Sequence, residues 1–289
     1  MRKLAILLSA LACSGQALAA DMAVKAQPPS PPPPCVWCGW YVGLNIGGTW
    51  LNNNVQTVGT PVSSAGTFAN EAALAAALAT TSLSGTHGGF LGGAQVGYNW
   101  QLNNSVIAGF EADFQGSDAR RGTNSGSTSV VPVFLNETIS SLTAVSKSVD
   151  YLGTVRARLG VTVTPTLLLY GTGGLAYGGV KSSTTIAQSD CCILPGGVTA
   201  TYAGSGASSN TRAGWTIGAG LESMFASHWS MKVEYLYYDL GMVNYGVGPL
   251  VANAPGFPSP TWVVAAQSNT RLNGNILRIG LDYHFSGGH

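Results

Sequence analysis

Along most of this chain apolar positions alternate with polar or glycine positions, most sharply between Gly88 and Gly116. Phe90, Gly92, Ala94, Val96, Tyr98 and Trp100 fall on one face; Leu91, Gly93, Gln95, Gly97, Asn99 and Gln101 fall on the other. After a break at Asn103 and Asn104 the pattern resumes. Val106, Ala108, Phe110, Ala112 and Phe114 share one face, and Ile107, Gly109, Glu111, Asp113 and Gln115 share the opposite one. A period of two, run twice across an Asn-rich break, predicts a β-hairpin. Its carboxylates lie on the face of the glycines and Gln95, while aromatics gather at the turn. That suits a strand with one face in lipid and one in a lumen, although a soluble sheet alternates as well.

The rest of the chain decides between them. Strand periodicity recurs over 39–50, 148–161, 167–180, 211–225, 229–240 and 274–285, making eight strands with the hairpin. Outward lists are apolar, as in Trp40, Val42, Leu44 and Ile46, or Leu277, Ile279, Leu281, Tyr283 and Phe285. The face of 167–180 is ambiguous, because glycines fall in both registers. The connections 51–87, 117–146, 181–209 and 242–270 are long and polar, and alternate with short turns near Asn103, Pro165 and Ser227. Asn70 to Thr80 carries an alanine-leucine run that predicts a short helix within the first connection. The fold class expected is all-β: an eight-stranded antiparallel transmembrane up-and-down β-barrel with four long extracellular loops and short periplasmic turns. A soluble barrel of this size has an apolar lumen; here the inward positions carry charge.

Nine charges fall on inward faces: Glu111, Asp113, Arg156, Arg158, Glu222, Lys232, Glu234, Arg278 and Asp282. An eight-stranded barrel is just wide enough for side chains to fill it, so charges of mixed sign predict an ion-pair network that plugs the lumen. A selectivity ring is the alternative, and it would favour one sign. On the outward side Trp40, Tyr98, Trp100, Trp215, Trp229, Tyr235, Tyr283 and Phe285 are expected to form the aromatic girdle at the membrane interfaces.

Composition narrows the picture. Among 289 residues there are 39 glycines, 13 Lys and Arg and 12 Asp and Glu, with net charge +1. The surface is too poor in charge for an ordinary soluble protein and has no basic footprint for nucleic acid. Met1 to Ala19 reads as a signal peptide, and 20–38 as a proline-rich periplasmic linker. The barrel then spans 39–285 and a tail 286–289. Cys35 and Cys38 are expected to form a local disulfide in this exported chain; Cys191 and Cys192 could be free, strained or intermolecular.

The segment 171–176 matches GxGxxA, but no helix follows it, so a dinucleotide site is rejected. The four histidines, His87, His228, His284 and His289, read as dispersed and solvated, with no metal-ligand spacing. There is no GxSxG elbow; a rim site would have only His87, with Glu71, Asp118, Glu137 and Asp190 in the loops. No catalytic, cofactor or metal site is expected.

The segments GWYVGLNIGG (39–48), GFLGGAQVGYNWQ (89–101), YLGTVRARLG (151–160), YGTGGLAYG (170–178), GWTIGAGLE (214–222), VEYLYYDLG (233–241) and LRIGLDYHF (277–285) resemble the porin-like outer-membrane immunogenic protein family of Gram-negative bacteria. That family's barrel is similar to the transmembrane domain of outer membrane protein A. The resemblance implies an outer-membrane location and a surface antigen, with members described as structural antigens, adhesins, haem binders or porins. Expected partners are outer-membrane lipids and lipopolysaccharide, the barrel assembly machinery during biogenesis, and an extracellular ligand not specified by the sequence. The function expected is non-enzymatic and structural, with loops available for binding. The alternatives are a narrow porin or loop-mediated binding of haem or a host surface, for which the loops offer only His87, Tyr202 and Tyr245. Family members usually end on the final aromatic; here 286–289 run past Phe285.

Overall fold

The computed structural model describes residues 35–285, apart from 53, 63–67, 131–137, 192–198 and 254–260. The expected signal peptide, the linker up to Pro34 and the tail 286–289 lie outside the described residues.

Among the described residues eleven strands and one helix follow in chain order: β1 (Gly39–Asn52), β2 (Val55–Pro61), α1 (Phe68–Ala79), β3 (Thr81–Leu83), β4 (Thr86–Gln101), β5 (Val106–Ser117), β6 (Arg120–Val130), β7 (Thr138–Thr164), β8 (Leu167–Cys191), β9 (Thr199–Ala226), β10 (Trp229–Asn253) and β11 (Thr261–His284). Eight of these, β1, β4, β5, β7, β8, β9, β10 and β11, pair antiparallel in that order, and β11 returns to β1 from Tyr41↔His284 to Asn52↔Asn273. Closure leaves the eight-strand ring without a sheet edge, which lipid demands. Among the described residues no helix is long and apolar enough to cross a membrane; the strands make the crossing.

Local chemistry sets the turns. Asn103 Oδ1 accepts the backbone N–H groups of Ser105 (2.9 Å) and Val106 (2.8 Å), closing the β4–β5 hairpin. Gly241 sits at φ 82°, a left-handed conformation open to glycine. It makes a bulge, its N–H bonded to Asp239 Oδ1. The inward phase of β10 changes there, from Leu236 and Tyr238 to Val243, Tyr245 and Val247.

The long connections differ from expectation. Three of the four segments read as polar loops continue as strand: β6 and the start of β7, the end of β8 with the start of β9, and the end of β10 with the start of β11. The first connection also contributes β2, which pairs with β11 once β1 has ended. Their Ser/Thr-rich sequences suit a sheet wetted on its outer face, because threonine favours strands and a neighbouring strand satisfies each backbone. The helix starts at Phe68, two residues before the expected Asn70, and ends where Thr80 Oγ1 donates to Ala76 O. It packs against β2, β11 and β7.

Candidate functional site

The inward residues stack in layers along the barrel axis. At the periplasmic end Trp37, from the loop between Cys35 and Cys38, is buried against Ile107, Leu168, Tyr170 and Met224. Its indole N–H donates to Pro165 O at 3.0 Å, tying the loop to the β7–β8 turn. Cys35 and Cys38 are disulfide-bonded with Cα atoms 5.4 Å apart, and Cys191 is disulfide-bonded as well.

Above Trp37 lies a charged layer that contains all nine charges expected on inward faces, each at most 5 % exposed. Register brings opposite charges face to face: Glu111↔Arg156, Glu222↔Lys232 and Glu234↔Arg278 are cross-strand partners. Glu111 is the hub. It accepts from Arg156 Nη2, Lys232 Nζ, Arg278 Nη2 (3.2 Å) and the Tyr41 hydroxyl (2.7 Å), with Arg158 Nη1 at 3.6 Å. Asp113 Oδ2 takes Arg156 and Arg278, each at 2.9 Å, and the Thr154 hydroxyl at 2.8 Å. Glu234 takes Arg156 Nη1 at 2.8 Å and Arg278 Nε at 2.7 Å. Arg158 donates to Glu222 at 2.6 Å, and its guanidinium lies 4.0 Å from the Tyr170 ring centre. Planar guanidinium groups can bridge several carboxylates at once, which an ammonium cannot do with the same geometry.

His284 corrects the expectation of solvated histidines. It is buried, with Nε2 at 3.2 Å from Glu222 Oε1 and 3.0 Å from Ser230 Oγ, its ring stacked on Tyr41 and edge-on to Trp37. Its even position on β11, in step with Arg278 and Asp282, was the signal for this.

An apolar layer follows, with Leu51, Leu91, Leu152, Leu236, Leu240 and Ile276 among its members. Next comes a belt of hydroxyls, Thr57, Ser268, Thr184, Tyr245 and Ser182, joined by hydrogen bonds of 2.7–3.1 Å. Lys147 is buried at this level. It faces backbone carbonyls, Arg271 O at 3.1 Å and Asn52 O at 3.5 Å, where β11 changes partner from β1 to β2. Burial pushes its ammonium down from 10.5 to about 8. At the extracellular end Ala72, Ala75, Ala76 and Ala79 of α1 pack on Ile186, Tyr202, Leu250 and Val264, and Gln188 donates to Ala75 O at 2.8 Å. Asp190 and the two tyrosines read as loop residues, Tyr202 and Tyr245, are therefore buried on strands.

On the outer wall the eight expected girdle aromatics face outward. Trp40, Tyr98, Trp100 and Phe110 form one contacting cluster at the periplasmic end, and Trp229, Tyr283 and Phe285 another. Trp215 and Tyr235 lie nearer the extracellular end, where Trp50, Phe90, Phe114, Tyr151 and Tyr177 also face out. The last five were not among the aromatics expected for the girdle; their signal was an outward aromatic about a strand's span from the periplasmic cluster.

The chain matches the outer membrane protein beta-barrel domain over residues 5–285. It is 37% identical over 274 residues to the 31 kDa outer-membrane immunogenic protein of Brucella melitensis, covering 93% of each chain. It is 26% identical over 278 residues to the 25 kDa outer-membrane immunogenic protein of Brucella abortus, covering 94% of this chain and 92% of the relative. Among solved structures, the outer membrane protein OprG of Pseudomonas aeruginosa aligns over 86% of this chain and 97% of its own, with TM-score 0.39 and 8% identity. The filled barrel described above is thus an outer-membrane protein, and the chain belongs to the outer-membrane β-barrel family that includes these immunogenic proteins.

Proposed function

We propose that this barrel is a sealed, non-enzymatic anchor that holds an extracellular scaffold above the outer membrane and conducts nothing through its lumen. One observation carries the reading: Arg156, Lys232 and Arg278 at mid-lumen have side-chain exposures of 0%. A water-filled pore would leave the side chains lining it accessible. The buried layers on either side support the same conclusion. Outward aliphatics and the aromatic belts sit against outer-membrane lipid and lipopolysaccharide, and the barrel assembly machinery inserts the strands.

Binding at the extracellular extension is a second reading, favoured because β8 runs on from Tyr177 to Cys191, past the upper aromatics. That adds roughly 45 Å of strand at about 3.3 Å per residue, which is more than a turn needs. Haem is a poor fit for that surface, since Tyr202 and Tyr245 are committed to the interior.

The test is conductance of the refolded protein in a planar lipid bilayer. Silence is expected at neutral pH. Steady unitary currents would replace the anchor with a narrow porin.

A further inference from the structure

With His284 as a neutral imidazole, the charged layer is one cation short. It holds five carboxylates, Glu111, Asp113, Glu222, Glu234 and Asp282, against four permanent cations, Arg156, Arg158, Lys232 and Arg278. A buried unmatched charge is strongly unfavourable, and a carboxyl group in that position takes up a proton instead.

Geometry picks out which one. Glu111, Asp113 and Glu234 each meet at least two cations, and Glu222 is satisfied by Arg158 and the Ser230 hydroxyl, both at 2.6 Å. Asp282 has only Lys232 Nζ at 3.5 Å, since that ammonium is donated to Glu111. Its Oδ1 accepts from the Gln95 amide, while its Oδ2 is buried with no hydrogen-bond partner.

Among the described residues the surrounding elements supply no further permanent cation. Lys232 faces Asp282 from β10, Glu222 from β9, Glu111 from β5 and Gln95 from β4. On β1, Tyr41 is engaged with Glu111 and Arg158; on β7, Arg158 is held by Glu222 and Arg156 by Glu111, Asp113 and Glu234. The β8 hydroxyl of Tyr170 goes to Glu234. On β11 itself Arg278 belongs to Glu234 and Asp113, and His284 to Glu222.

We propose that Asp282 is protonated in the folded barrel, making the charged layer neutral, and that losing this proton at alkaline pH loosens the plug. The inference deepens the sealed-lumen reading and rests on it. The proton is taken from bulk water as the barrel closes, forming the carboxyl O–H, and hydroxide removes it again.

The experiment is infrared spectroscopy of protein carrying ¹³C-labelled aspartate, refolded into lipid vesicles. A protonated aspartic acid C=O band is expected at neutral pH, lost on raising the pH and missing from D282N. The asparagine matches the neutral acid in size and charge; should D282N not refold, the labelled wild type carries the test alone, because the label separates aspartate from glutamate. Absence of the band overturns the proposal, as does its persistence in D282N. An imidazolium signal from His284 in ¹⁵N NMR, with no acid band, overturns it by placing the proton there. Steady current from a protein that keeps the band would defeat the sealed lumen and leave the protonation of Asp282 standing.

Discussion

At the scale of single residues, Lys147 makes the sharpest demand. Among the described residues it has no carboxylate partner, and its ammonium is pushed from 10.5 down to about 8 by burial. Between those two values the unfolded chain still holds a proton that the folded chain has released, so stability rises with pH across that window. The gain is at most about 3 kcal/mol, from 1.36 kcal/mol per unit. Heat-denaturation midpoints in detergent, taken from pH 8 to pH 10, should climb for the wild type relative to K147M. Parallel curves for the two proteins would mean that this lysine is solvated. In the sequence Lys147 fell between the expected connection 117–146 and the strand 148–161 and was given no face, since serines and threonines around it hid the alternation. For the nine mid-barrel charges the period of two was enough to assign a face. It could not say which strands across the lumen they reach, because Glu111 meets Lys232 and Arg278 through closure of the ring, not through neighbouring positions.

Elements above the membrane were less legible than those inside it. Within the span, lipid on one side and a crowded lumen on the other force strict alternation. Beyond it, water on the outside tolerates Ser, Thr, Ala and Gly alike, so 181–209 and 242–270 carry a weak pattern although their inward positions include Ile186, Tyr202, Val247 and Val264. The alanine-rich helix was visible by composition, but its place was not: nothing local announces that α1 closes the mouth of a barrel. Its seat depends on close approach at Gly59, where a Cβ would collide with Ala76 O and meet Ala79. A leucine there should displace α1 at an overpacking cost of roughly 1–3 kcal/mol. Hydrogen exchange at Ala75–Ala79 should then quicken by roughly 5- to 140-fold, each 1.4 kcal/mol being a factor of ten. Unchanged exchange in G59L would show that the helix is held elsewhere.

Across the whole molecule the proposed seals are arranged in series. An ion-pair network acting alone as the plug would leak when one member is removed, and the sequence alone pointed to such a network. The structure instead stacks the Trp37 loop, the charged layer, an apolar layer, the hydroxyl belt with Lys147, and α1, and in the proposed sealed barrel a current must breach all of them. Stability and sealing therefore separate. Arg156 touches Glu111, Asp113 and Glu234, and deleting it strands buried carboxylates, a loss of roughly 3–5 kcal/mol. R156A should accordingly shift the urea midpoint of unfolding in lipid to lower concentration while staying silent in a planar bilayer. A leaky R156A would mean that the charged layer alone closes the lumen and that the layers above and below it are permeable. A silent R156A with an unshifted midpoint would mean that water replaces the guanidinium at no cost, which a lumen filled by buried side chains does not allow.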